Sequence, residues 1–271
     1  MAEAVTASVD GQITPPDEAM ISILDEGLVR GDGAFEVLKL YDRHPFRLRA
    51  HLDRLGRSAA AIHLPYDAAA LEREIEALLA ANPPPDGCLR IVVTRGGRRI
   101  LTAETLPPFA PSISVALVEL TPSEILGGVK SISYAANMQA TRIAAARGAD
   151  EAVYVRPDGV VLEAPTSSVF WVTGDGALRT PALGVGILDS ITRDVLVEAL
   201  DVEEGEFDRS DLIGAEAAFL ASTNREVQPI SAVEGTSLPT LGGEWAERAR
   251  SALADAVAAE RAAASERAAT A

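Results

Sequence analysis

The chain has 271 residues, 48% of them hydrophobic, with 40 acidic and 24 basic side chains and a formal net charge of −16. That length builds one large domain or two ordinary ones around a sizeable core, and that charge argues against a nucleic-acid surface, because the one basic cluster is Arg95, Arg98 and Arg99. No apolar run reaches membrane-spanning length, no basic or apolar leader is visible at Met1-Ala2-Glu3-Ala4, and three histidines with one cysteine argue against a zinc site or a disulfide framework. The expected location is therefore the cytoplasm, with no metal and no membrane partner.

In chain order, residues 34–41 read as a strand with Phe35, Val37 and Lys39 on one face and Glu36, Leu38 and Leu40 on the other. Asp42-Arg43-His44-Pro45 reads as the turn that follows. From about Arg49 to Ile62 the period changes, and Leu48, Leu52, Leu55, Ala59 and Ile62 share a helical face. A second helix is predicted over 67–81, with Leu71, Ile75, Leu78 and Leu79 inward and Asn82-Pro83-Pro84-Pro85 as its stop. Strands are predicted at 89–94 and 113–120. Thr121-Pro122-Ser123-Glu124 reads as a boundary, so the expected layout is a small N-terminal domain over 1–120, a linker over 121–128 and a C-terminal domain over 129–271. Beyond the boundary come a helix at 137–147, a hairpin at 151–162 around Pro157-Asp158-Gly159, and a strand at 168–172. A helix at 191–200, a strand at 217–220, an Ala-rich helix at 244–261 and a frayed last ten residues complete the chain. The alternation predicts two domains of α/β or α+β class.

Of the 24 basic residues, two are lysines, Lys39 and Lys130. An amine can lose its proton near neutral pH and attack a carbonyl, which a guanidinium cannot. Lys130 lies in Gly127-Gly128-Val129-Lys130-Ser131-Ile132-Ser133-Tyr134, among small or apolar neighbours; its bland reading is a strand-end lysine in water. Lys39 sits in a strand, where pairing with a nearby acid explains it. Gly186-Ile187-Leu188-Asp189-Ser190-Ile191-Thr192-Arg193 enters a helix, a place suited to phosphate or simply an ordinary N-cap. Ser222 and Thr223 present two hydroxyls after a strand, or form a common turn. Glu163 ends an apolar strand; if buried it needs a cationic partner, which a protonated pyridine nitrogen would be. An amine, an anion cradle and an acid for a ring nitrogen are together what pyridoxal phosphate requires.

The chain resembles the class IV, fold-type IV pyridoxal-phosphate aminotransferases, a family of branched-chain aminotransferases, D-amino acid transaminases and aminodeoxychorismate lyases. The resemblance covers about residues 20 to 235. It rests on Arg30-Gly31-Asp32-Gly33-Ala34-Phe35-Glu36, His51-Leu52-Asp53-Arg54-Leu55, the Lys130 segment, Gly148-Ala149-Asp150-Glu151-Ala152, Leu162-Glu163-Ala164-Pro165, Ile191-Thr192-Arg193 and Ser222-Thr223-Asn224-Arg225-Glu226-Val227, in that order. It implies that Lys130 forms the Schiff base and shuttles the proton, Glu163 faces the pyridine nitrogen, Leu188 packs on the ring and Tyr134 bonds its hydroxyl. It implies too that Arg54 and Thr223, with the backbone N–H groups of Ile191 and Thr192, hold the phosphate. The implied fold is a small N-terminal α/β domain and a larger C-terminal domain with the cofactor between them. The implied partners are a small amino acid, a 2-oxo acid and a second copy of the chain in a homodimer whose active site lies near the interface.

Within that family the reaction follows from the pocket. Branched-chain members carry an aromatic before the first glycine and Phe-Glu-Gly later, where this chain has Arg30 and Val37; lyases carry Thr where it has Glu36 and Val37. The 222–226 run is most similar to D-amino acid transaminases, yet their Arg-x-His clamp is absent after Thr94-Arg95-Gly96. A substrate carboxylate still needs a guanidinium, and Arg30, Arg90 and Arg98 are the candidates. The expected activity is ping-pong transamination of a D-amino acid such as D-alanine or D-glutamate, with aminodeoxychorismate lyase, a branched-chain L-amino acid aminotransferase and a non-catalytic binding protein as the alternatives.

Overall fold

A computed structural model describes residues 3–81 and 83–270, and the chain divides into two compact units, 1–108 with 129–134 and 260–271, and 109–128 with 135–259. Met1, Ala2 and Asn82, which the leader and helix-stop expectations invoke, lie outside the described residues. Both units mix strands and helices, as the alternation predicts.

The first unit contains β1 (Ala4–Val9), β2 (Gln12–Thr14), α1 (Glu26–Arg30), β3 (Gly33–Tyr41), β4 (His44–Pro45), α2 (Leu48–Ala61), α3 (Ala68–Ala80), β5 (Asp86–Thr94) and β6 (Arg99–Thr105). Its sheet has the order β2-β1-β6-β5-β3-β4, antiparallel throughout. The alternation of β3 decides which face is covered. Ala34, Leu38 and Leu40 pack with Leu55 and Ala59 of α2 and Leu71, Ile75 and Leu78 of α3, while Val37, Lys39 and Tyr41 stay partly open on the other face. Asp42 and Arg43 form the two-residue turn into β4, both with positive φ (51° and 64°), the backbone twist that a tight hairpin demands. Asp67 caps α3 by accepting from the Ala70 N–H at 2.9 Å.

The second unit contains β7 (Ile113–Glu119), α4 (Ala135–Ala146), β8 (Glu151–Val155), β9 (Ser168–Val172), β10 (Leu178–Pro181), α5 (Ile191–Ala199), β11 (Val202–Gly205), α6 (Arg209–Ile213), β12 (Ala217–Ser222), β13 (Glu226–Val233), β14 (Thr236–Ser237) and most of α7 (Gly243–Thr270). Its sheet runs β11-β10-β9-β12-β13-β7-β8, with β14 added to β13. The sheet is buried on both faces. Val153, Trp171 and Leu220 join one apolar cluster, Phe170 and Phe219 stack at 5.1 Å in another, and Tyr154 joins α4 in a third.

Two expectations change. The Ala-rich helix, expected to end near 261, continues as α7 to Thr270. Within α7, ahead of the last ten residues, Glu260 accepts from the Arg47 N–H at 2.9 Å and Arg261 pairs with Asp42 at 2.8 Å. The 226–233 segment, unassigned in the sequence, is strand β13 despite Pro229, which lies beside a register shift against β7 that accommodates a residue without an N–H.

Candidate active site

The Lys130 segment is held as a short antiparallel partner to the start of β3. Phe35 N–H donates to the Lys130 carbonyl at 3.0 Å, Ile132 N–H donates to the Gly33 carbonyl at 3.1 Å, and Ala34 bridges Ser131. The Lys130 N–H donates to Ser58 Oγ at 3.1 Å. Gly33 permits this approach, since a Cβ there would meet the Val93 carbonyl at 2.4 Å and Ile132 Cδ1 at 2.8 Å. The result places Lys130 Nζ 4.5 Å from the Phe35 ring centroid, and the Tyr134 ring meets the same phenylalanine edge-on at 5.3 Å.

One turn before Ser58 on α2, Arg54 is also buried. Its Nε and Nη2 donate to the two oxygens of Glu36, each at 2.7 Å, and Glu36 Oε2 lies 2.7 Å from His51 Nδ1. Glu36 is fully buried, and burial alone would raise its pKa; the hydrogen bonds and charge of Arg54 and His51 outweigh that and hold it at about 2. His51 is pushed down by its own burial, against the pull of Glu36, so it is neutral at pH 7 and donates to the carboxylate. The pair fixes the Arg54 guanidinium in one orientation. Neither Glu36 nor His51 stands among the sequence-derived site residues. The signal was present, however: Glu36 is the one charged residue on the apolar phase of its strand and so requires a buried cation.

The three carboxylate candidates lie in different places. Arg30 ends α1 with a side chain 72% exposed and a loose 3.8 Å contact to Glu26. Arg98 follows the turn after β5 and pairs with Asp10 at 2.5 Å. Arg90 lies directly across from Val37 in β5, on the open face that also carries Phe35, and Glu104 grips it with bonds of 2.7 and 2.9 Å. Arg90 alone of the three shares the face of the sheet over which Lys130 lies. Lys39 occupies the same face, with its ammonium 5.0 Å from the Tyr41 ring centroid. The basic cluster of the sequence is neutralised, with Arg95 on Asp32, Arg98 on Asp10 and Arg99 on Glu74.

The second unit holds the other predicted residues. Glu163 Oε1 accepts from the Leu188 N–H at 3.0 Å, which ties the predicted ring-nitrogen acid to the predicted ring-packing residue. Ser190 caps α5, accepting from Arg193 N–H at 3.4 Å, and the first-turn N–H groups of Ile191 and Thr192 point out of the helix start without intrahelical acceptors. Arg193 anchors that start: it is 2% exposed, donates to the Pro181 carbonyl at 2.8 Å and pairs with Glu204. Ser222 ends β12 opposite Glu226, with Thr223 in the connecting turn. Arg225 of that turn donates to Glu151 at 2.6 Å and Gln228 at 2.7 Å, and Glu151 also accepts from Thr141 Oγ1 at 2.8 Å. Among the described residues no cluster of His, Cys, Asp and Glu is placed to hold a metal ion, and no helix is long and apolar enough to cross a membrane.

Each unit by itself carries groups of a kind that suit a phosphorylated pyridine aldehyde: the first an amine beside an aromatic ring and a guanidinium locked by a carboxylate, the second an open helix start and a carboxylate fixed by a backbone N–H. Residues 33–233 match the family model described as amino-transferase class IV. The chain is 28% identical over 269 residues, 87% of it and 93% of the relative, to the bifunctional aminodeoxychorismate lyase / D-amino acid transaminase of Mycobacterium tuberculosis. Its fold matches a hypothetical aminotransferase from Mycobacterium tuberculosis in its PLP-bound form, with TM-score 0.84 and 25% identity, covering 94% of this chain and 99% of the other. It also matches a branched-chain aminotransferase from Thermoproteus uzoniensis with norvaline, with TM-score 0.81 and 26% identity, covering 92% and 93% of the two chains. The chain therefore belongs to the class IV aminotransferases, has their fold-type IV architecture, and is an enzyme that works with pyridoxal 5'-phosphate.

Proposed function

We propose that this aminotransferase moves the amino group of a D-amino acid to a 2-oxo acid, with Lys130 as the residue that carries the cofactor. The observation that carries the reading is the single sheet face on which Phe35 supports the Lys130 amine while Arg90 stands two strand positions away, gripped by Glu104. When bound, the cofactor supplies an aldehyde for the substrate amine and a ring that takes up the electron pair left at the substrate Cα. Lys130 Nζ, released by the incoming amine, would take the proton from Cα and return it across the substrate nitrogen, to the former aldehyde carbon of the cofactor. Tyr134, packed on Phe35, is assigned to the ring hydroxyl, and Glu163 to the ring nitrogen. Arg54, Ser222, Thr223 and the Ile191 and Thr192 N–H groups are assigned to the phosphate, and Arg90, with Arg30 and Arg98 behind it, to the substrate carboxylate. The D preference is supported by the Ser222-Thr223-Asn224-Arg225-Glu226 run and by the name of the Mycobacterium relative.

That same name supports a second reading, aminodeoxychorismate lyase, and the Thermoproteus enzyme supports a branched-chain L-amino acid reading. The half-reaction of purified holoenzyme with D-alanine, D-glutamate and L-leucine, followed by loss of the cofactor's visible absorbance, separates them. The D-specific reading expects bleaching by a D-amino acid; bleaching by L-leucine alone overturns it. Pyruvate release from aminodeoxychorismate without a 2-oxo acid acceptor supports the lyase.

We also assign the exposed apolar segment Met20, Ile23, Leu24, Leu28 and Val29, each at least 60% exposed, to contact with a second copy of the chain in a homodimer.

A further inference from the structure

Glu104 is buried, yet it lies on the open face of the first sheet and is saturated with donors. Arg90 Nε and Nη2 bind its two oxygens, Thr102 Oγ1 donates to Oε1 at 2.6 Å, and the Cys88 thiol lies 3.7 Å from Oε2. Strand pairing builds this arrangement: β5 sets Arg90 across from Thr102 and Cys88 across from Glu104, so the acid and its three donors form one patch on neighbouring strands. Two consequences follow for the guanidinium. One edge, Nε with Nη2, is taken, and Nη1 makes no hydrogen bond to the described residues while the side chain stays 37% exposed. The charge that Arg90 offers is also matched locally by a full carboxylate. Lys39, a further cation on that face, has its ammonium 5.0 Å from the Tyr41 ring centroid.

We propose that Glu104 is a positioning residue that sets both the orientation and the charge of Arg90, so that the site receives one carboxylate and gains nothing from a second. The substrate class is then a monocarboxylic amino acid, alanine-like rather than glutamate-like. This rests on the assignment of Arg90 to the substrate carboxylate. A lone arginine would attract a dicarboxylate through its second charge as well; an arginine with a bidentate acid beside it does not, because the second carboxylate meets Glu104.

The test uses unreactive probes and the loaded enzyme. Calorimetric titration of wild-type holoenzyme with propanoate and succinate is expected to show propanoate bound at least as tightly as succinate. Succinate bound more than about tenfold tighter overturns the proposal. In Glu104→Gln the ratio of succinate to propanoate affinity is expected to rise about tenfold, and Glu104→Asp is expected to keep the wild-type ratio. The same ratio is read in kcat/KM when pyridoxamine-phosphate-loaded enzyme reacts with 2-oxoglutarate or pyruvate, which needs no choice of amino donor. A purely structural role for Glu104 weakens both probes alike and leaves the ratio unchanged, and that result overturns the proposal. Arg90→Ala separates the two layers. If it leaves both probes unaffected, the carboxylate assignment itself fails. If it weakens both while the Glu104→Gln ratio stays put, only the role of Glu104 fails.

Discussion

At the scale of single residues, the cost of burying charge explains most of what the chain places in its first unit. Glu36 occupies an apolar strand phase and is tolerable there because Arg54 and His51 satisfy both of its oxygens. Glu36→Gln leaves the buried Arg54 without its counter-charge, and we expect a loss of about 3 kcal/mol of stability in urea unfolding. The pH dependence has a defined sign. A carboxyl held at about 2 in the folded state, against 4.5 otherwise, stabilises the fold above 4.5 and loses that contribution as pH falls from 4.5 toward about 2. His51, depressed below its ordinary 6.5 by burial, adds a loss in the same direction as pH falls. Acid unfolding followed by circular dichroism should be steeper over the carboxyl window in the wild type than in Glu36→Gln; equal slopes contradict the network. Lys130, Tyr134 and Glu163 stood out in the sequence because each sits in a fixed local motif. The Arg90–Glu104 and Arg54–Glu36 pairs did not, because 14 and 18 residues separate the partners and only strand register or helix packing brings them together.

At the scale of elements, the periodicity of β3, α2 and α3 was legible in part: Leu55 and Ala59 of α2 and Leu71, Ile75 and Leu78 of α3 are buried as the period selects, Leu48, Leu52, Ile62 and Leu79 are partly buried, and the polar His51, Arg54, Ser58 and Glu74 are buried where apolar periodicity does not point. Strand β6 was not legible. It opens on Arg99 and carries Glu104 next to its end, charges spent on Glu74 and Arg90 of other elements, and its partner β1 lies far away in sequence. The Lys130 segment shows how an element of a few residues becomes precise: two backbone–backbone hydrogen bonds to β3, one from the Lys130 N–H to Ser58 Oγ of α2, and the close approach at Gly33 fix it. Gly33→Ala forces a methyl onto the Val93 carbonyl and into Ile132. We expect a loss of about 1–3 kcal/mol in thermal melting and weaker retention of the cofactor on dialysis. An alanine variant that keeps full cofactor occupancy would show that the close approach at Gly33 does not position Lys130.

At the scale of the whole molecule, membership of the class IV aminotransferases follows from a match over residues 33–233, and the acidic charge of −16 suits a self-repelling chain. The exposed apolar run from Met20 to Val29 is the surface proposed above for contact with a second copy. Leu24→Asp combined with Leu28→Asp is expected to halve the mass in sedimentation velocity; an unchanged mass would remove this segment from the dimer interface. The sequence could place this segment before the first motif, but its exposure depends on which neighbours the fold provides, and periodicity does not encode that.

The most direct test uses the scarcity of lysine in this chain, which has two among its 271 residues. Borohydride reduction of the holoenzyme followed by mass mapping is expected to place the reduced cofactor on the peptide containing Lys130 and to leave Lys39 unmodified. Label on Lys39, or a holoenzyme that cannot be trapped at either lysine, would contradict the assignment of Lys130 as the residue that carries the cofactor.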